Sequence, residues 1–184
     1  KEILQKIEYA EQKYNRTKGT VKLLAVSKFH PVDAVEKAIS AGHLLFGENR
    51  VQEAVAKFSD INSFNKDVEL HIIGQLQTNK VKKAVTVASC IESVDRIDLL
   101  KEIQKQCEKI NKKIKILFEV NTAEDSKSGF KNYEDLYEAV KYCADGNTPF
   151  VEPIGFMTMA PLTDDEALIR KSFSSLRKLS EKLQ

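Results

Sequence analysis

Short apolar runs rich in β-branched residues alternate with longer amphipathic stretches along nearly the whole chain. That alternation restricts the fold to βα units around a parallel sheet. The run Val21 to Ser27 (VKLLAVS) is the first expected strand, and its near-continuous hydrophobicity suits a sheet covered by helices. Pro31 then stands where a helix begins, Ala34, Val35, Ala38 and Ile39 recur at helical spacing, and Gly42 supplies a left-handed stop. The same alternation predicts strands at Leu44 to Gly47, Leu70 to Gly74, Cys90 to Val94, Ile114 to Asn121 and Pro153 to Met159. Helices are expected from about Val51, around Asn79 to Val87, from about Arg96 to Asn111, near Tyr133 to Ala144 and from Asp165 to Leu183. These make six βα units. Periodicity alone fits a doubly wound sheet as well as a TIM-type (β/α)8 barrel. No linker rich in Pro, Gly or Ser divides the chain, so residues 1–184 are expected to form a single domain whose long loop is Asn62 to Asp67.

Charge and cysteine usage narrow the function classes. The 29 basic and 27 acidic residues leave a formal charge of +2, too little to recruit nucleic acid or an anionic membrane. Cys90, Cys107 and Cys143 are odd in number and lack metal-ligand spacing, which points to a reducing cytoplasm and no metal site. The opening KEILQKIEYAEQKYNR is a charged helix pattern rather than a signal peptide, and no apolar stretch approaches the roughly 18 residues that span a bilayer. Absence of GxGxxG, Walker A, HExxH and GxSxG sequences removes the dinucleotide, P-loop, zincin and nucleophile-elbow classes from the front rank.

Ligands of parallel α/β folds meet the C-terminal ends of the strands. Those ends read SKFHP, FGENRVQE, GQLQTNK, SVDR, VNTAEDSKSGF and FMTMAP. Lys28, directly after the first strand, can act as a nucleophile toward an aldehyde if its stem lies against apolar walls, or can snorkel into water. Asn49 can bond a ring substituent or cap the following helix. His71 lies inside a strand, where a hydrogen-bonded structural role competes with a site role. Met157 can pack a barrel interior or touch a flat aromatic ligand. Lys127, within Ser126-Lys127-Ser128-Gly129, belongs either to an anion-binding loop or to an ordinary turn.

Taken in order, LLAVSK (Leu23 to Lys28), FGENRVQE (Phe46 to Glu53), HIIGQLQTNKVK (His71 to Lys82), SVD (Ser93 to Asp95), VNTAEDSKSGF (Val120 to Phe130) and GFMTMAPL (Gly155 to Leu162) resemble the pyridoxal 5'-phosphate homeostasis proteins. This family has the fold type III barrel of the alanine racemase N-terminal domain. The resemblance implies that Lys28 carries pyridoxal 5'-phosphate as a Schiff base and that Asn49 lies beside the ring. It further implies that His71 and Met157 line the same cavity, and that Lys127 makes a secondary contact near the entrance. The chain departs from the family pattern at Phe29 and His30, where a small polar and a basic residue are common, and its VNTAEDSKSG loop is one residue short. Two further strands carry the family's phosphate site, so the phosphate-binding residues are expected beyond Gln184, in a longer protein.

The function implied is a cytoplasmic, monomeric carrier that buffers pyridoxal 5'-phosphate and delivers it through transient contact with apoenzymes, without robust turnover. The alternatives are a racemase or decarboxylase of the same fold, a Schiff-base aldolase barrel, and a structural interaction module. A racemase needs a second base on the opposite ring face. Tyr133, Tyr137 and Tyr142 instead all fall on an expected helix.

Overall fold

The computed structural model describes residues 2–122 and 128–183. Helix α1 (Glu2–Lys13) precedes an alternation of strands β1 (Ala25–Val26), β2 (Leu45–Glu48), β3 (Glu69–Ile72), β4 (Cys90–Val94), β5 (Ile114–Glu119) and β6 (Val151–Met157). The connecting and following helices are α2 (Val32–Ser40), α3 (Val51–Phe64), α4 (Val81–Val87), α5 (Ile97–Lys109), α6 (Tyr133–Ala144) and α7 (Glu166–Leu183). Every strand pairing is parallel, and the sheet order is β1-β2-β3-β4-β5-β6. A doubly wound sheet would reverse that order at a switch point. Consecutive right-handed crossovers without reversal put the helices on one side of the sheet and leave the other side concave, as in a barrel wall. β1 and β6 form the two ends of the sheet.

Period-two alternation builds the core between sheet and helices. Ile114, Ile116 and Phe118 of β5 are buried toward the helical layer, as are Phe46 of β2, Leu70 and Ile72 of β3 and Ile91 of β4. The helices answer with stripes at their own period: α5 buries Leu99, Leu100, Ile103 and Cys107, and α3 buries Ala54, Phe58 and Ile61. Local chemistry sets the boundaries. The Asn132 side chain accepts from the Asp135 amide at 2.8 Å to start α6, and Gly42, at φ +87°, takes the left-handed turn after α2.

Several boundaries shift by one or two residues from the sequence expectation, β6 for instance running from Val151 to Met157, and two larger differences have a local physical cause. β1 covers only two residues of Val21 to Ser27, because the carboxylate of Glu11 on α1 accepts from the amides of Gly19 (2.9 Å) and Val21 (2.7 Å) and from the Thr20 hydroxyl (3.2 Å). Those bonds tie the approach to the strand to α1 and not to the β2 ladder. α3 runs to Phe64, so the expected loop from Asn62 shortens to the few residues before β3. Among the described residues no helix is long and apolar enough to cross a membrane.

Candidate functional site

The concave side of the sheet holds a cavity of about 690 Å³. Strand alternation decides what lines it. Lys22, Leu24, Val26 and Lys28 follow one another at intervals of two and all face the cavity, joined by Leu45 and Asn49 from the second unit and by His71 and Ile73 from the third. Glu92 on β4, Glu119 on β5 and Met157 on β6 complete the wall. Lys28, Asn49, His71 and Met157 thus come from four separate strands or strand ends to one space. Lys127 lies outside the described residues.

Lys28 is half-buried and sits in a four-residue turn closed by the His30 amide donating to the Ser27 carbonyl at 3.1 Å. Its Nζ lies 5.9 Å from the centroid of the exposed Phe29 ring. Phe29 has φ +65°, a left-handed conformation that a bulky side chain adopts only when its surroundings impose it.

Asn49 does not cap α3: Arg50 occupies the N-cap position and no side chain bonds there. Its backbone is fixed by a close approach to Gly74, where a Cβ would stand 2.4 Å from the Asn49 carbonyl oxygen and 2.8 Å from its Cα. Only glycine fits that contact, which brings the ends of β2 and β3 together. His71 both lines the cavity and is held structurally, its Nδ1 lying 2.6 Å from Glu92 Oε1 and its Nε2 3.8 Å from Glu69 Oε2. A carboxylate only accepts, so the ring N–H donates to Glu92 and fixes the imidazole plane.

Three features lie outside the residues singled out from sequence. Glu119 is 3% exposed, and burial pushes its carboxyl above the usual carboxylate range; the Ser128 hydroxyl donating at 2.5 Å partly opposes this, and the nearby Asp95 charge adds to it. Glu92 is the partner of His71, and its signal is a charge inside the apolar run CIESV. Behind Lys28, Ser27, Glu48 and Lys57 form a buried cluster that no spacing rule would join. The cysteines offer no competing nucleophile: burial pushes the Cys90 thiol up to about 12, the Cys107 thiol to about 11, and the Cys143 thiol upward as well. Among the described residues no group of His, Cys, Asp and Glu is arranged to hold a metal ion.

Residues 3–184 match the family described as alanine racemase, N-terminal domain. The chain is 35% identical over 182 residues to a pyridoxal phosphate homeostasis protein of Aquifex aeolicus, with 99% of this chain and 78% of that protein covered. A protein of the same name from Pasteurella multocida is 35% identical over 186 residues, covering 100% and 78% of the two chains. Among solved structures, PipY of Synechococcus elongatus with PLP bound superposes with a TM-score of 0.80 at 31% identity, covering 96% of this chain and 81% of that one.

Proposed function

The chain belongs to the pyridoxal phosphate homeostasis proteins, within the alanine racemase N-terminal domain family, and from that premise we propose that it binds pyridoxal 5'-phosphate through Lys28 and releases it again, as a carrier rather than a catalyst. One observation carries this reading: an amine, a carboxamide, an imidazole and a thioether from four strands line one cavity at the strand ends.

The residues present fit the cofactor. The cavity, about 690 Å³, falls within the roughly 300–1,000 Å³ of small-molecule sites. Leu24, Val26, Ile73 and Met157 offer apolar surface to a flat ring, and Asn49 a donor and acceptor to a polar substituent. Bound there, the cofactor would supply an aldehyde that condenses with the neutral Lys28 amine, its oxygen leaving as water with the two amine hydrogens, a reversible exchange without redox change. His71 would present an imidazole whose plane Glu92 fixes. Lys127 enters as a secondary amine contact near the entrance, on the strength of the Ser126-Lys127-Ser128-Gly129 likeness alone.

Carriage rather than turnover is supported by where the tyrosines lie. Proton exchange at a substrate carbon on both ring faces needs two bases; Tyr9 lies on α1, Tyr14 directly after it and Tyr133, Tyr137 and Tyr142 on α6, and none of the five lines the cavity. The same reading makes the protein a cytoplasmic monomer that meets apoenzymes transiently, since a recipient lysine need only exchange with Lys28. Three free thiols accord with a reducing compartment.

The test is direct. Incubation of the full-length protein with pyridoxal 5'-phosphate should give a visible absorbance band, and borohydride should fix the cofactor's mass on the peptide bearing Lys28. Lys28→Ala should lose both while keeping its circular dichroism, because a half-buried strand-end amine leaves no core cavity when removed. Retention of a borohydride-fixed adduct in that variant, on Lys127 or elsewhere, would overturn the anchor.

A further inference from the structure

We propose that Lys57 is a positioning residue that sets the Lys28 amine for condensation by clamping both peptide neighbours of Lys28; the proposal rests on the functional reading above. Lys57, on α3, is 10% exposed. Its ammonium donates to the Ser27 carbonyl (2.9 Å), Glu48 Oε1 (2.9 Å) and Glu53 Oε2 (3.4 Å), which uses all three of its hydrogens. Glu48, fully buried, also accepts from the Ser27 hydroxyl at 2.7 Å through the same oxygen, while its Oε2 is buried without a partner. Glu53 Oε2 accepts from the Phe29 amide at 3.4 Å. One ammonium therefore gathers the residue before Lys28 and, through Glu53, the residue after it.

The turn needs such a clamp. Phe29 stands at φ +65° in a position that ordinarily takes glycine, and Phe29 itself is mostly exposed, so its own packing cannot hold the conformation. Besides the turn's own His30–Ser27 bond, the bonds that reach it come from β2 and α3, through Glu48, Glu53 and Lys57. A buried charge pair is also a costly way to fill this space, since an apolar pair of similar volume is often as stable. Stability alone gives the pair no reason to be there, whereas fixing the base of a nucleophilic lysine does.

The charge-neutral double variant Glu48→Gln/Lys57→Met keeps the Ser27 hydroxyl bond and the volume while removing the clamp. It should unfold near the wild-type temperature and bind pyridoxamine 5'-phosphate, which has an amine in place of the aldehyde, as the wild type does. Its visible band with pyridoxal 5'-phosphate should form roughly tenfold more slowly and with a shifted maximum, since small misplacements of a reacting group cost rate. If the double variant does not fold, Ser27→Ala, which removes one hydroxyl, should move the same rate in the same direction by a smaller factor. Wild-type rate and maximum in the folded double variant, or in Ser27→Ala where that variant alone folds, overturn the inference and leave the functional reading standing. So does equal loss of pyridoxamine 5'-phosphate binding, which would mark Lys57 as merely structural. A wild-type protein that forms no band overturns both together.

Discussion

Glu119 is an acid held where water barely reaches it, and its carboxyl lies above the ordinary 4.5 because burial disfavours the charge. A carboxyl raised on folding favours the folded state fully below its unfolded value and loses that contribution as pH rises through the raised folded value. Glu119→Gln keeps an acceptor for the Ser128 hydroxyl but cannot ionise. Thermal unfolding should therefore show the variant more stable than wild type at about pH 8, with the gap closing as pH falls below the ordinary carboxyl value. A gap independent of pH would show that Glu119 acts through packing. Asn49 has a different weight. A single neutral hydrogen bond contributes about 0.5–1.5 kcal/mol net, so Asn49→Ala should weaken cofactor binding by roughly tenfold at most and shift the band, without abolishing it. A variant that forms no band at all would make Asn49 an anchor.

At the scale of elements, the site depends on how closely β2 and β3 end together. Gly74→Ala would drive a methyl group into the Asn49 backbone at 2.4 Å, and neither peptide can yield without moving a strand end. The expected cost is about 1–3 kcal/mol of stability by denaturant unfolding, with weaker cofactor binding as Asn49 is displaced. Wild-type values for both would place the true separation well beyond van der Waals contact. This contact marks the limit of what the chain's pattern tells. Strand alternation and the polar strand ends mark Lys28, Asn49 and Met157 as site candidates, and β4 and α6 start and stop where periodicity puts them. The brevity of β1 was not legible, because it depends on Glu11 reaching across from α1. Nor was Lys57, whose spacing from Glu53 reads as an ordinary i,i+4 surface pair until the fold brings Ser27 and Glu48 against it. Sequential strand order, which separates a barrel wall from a doubly wound sheet, is a property of long-range pairing that local periodicity does not carry.

Across the whole molecule, burial is distributed unevenly. α5 buries Leu99, Leu100, Ile103, Gln106 and Cys107, and α4 buries Val81, Ala84, Val85 and Val87. α1 buries only Glu11, and α7 only Ser172, with Leu176, Leu179 and Leu183 partly buried against the core. Ile3, Leu4, Tyr9 and Tyr14 of the first segment and Leu168 and Phe173 of the last are exposed. Local opening is easiest where few apolar contacts must be broken. Amide hydrogen exchange should therefore proceed first through α1 and α7, while β3 to β5 with α4 and α5 exchange only by global opening, on the order of 5–15 kcal/mol. The approach to β1 should side with the fast group, because a carboxylate on a loosely held helix ties its start at Val21, while the Ser27 end, bonded to Gly47, Glu48 and Lys57, should exchange more slowly. Cofactor bound through Lys28 would then change the order selectively: protection should rise at Ala25 to His30 and at the β2 and β3 ends that share the cavity, and stay unchanged along α1. Mass spectrometry of exchanging peptides, with and without pyridoxal 5'-phosphate, separates these cases. Equal protection of α1 and α5 in the free protein would mean that the molecule opens as one unit and that buried area does not rank its parts.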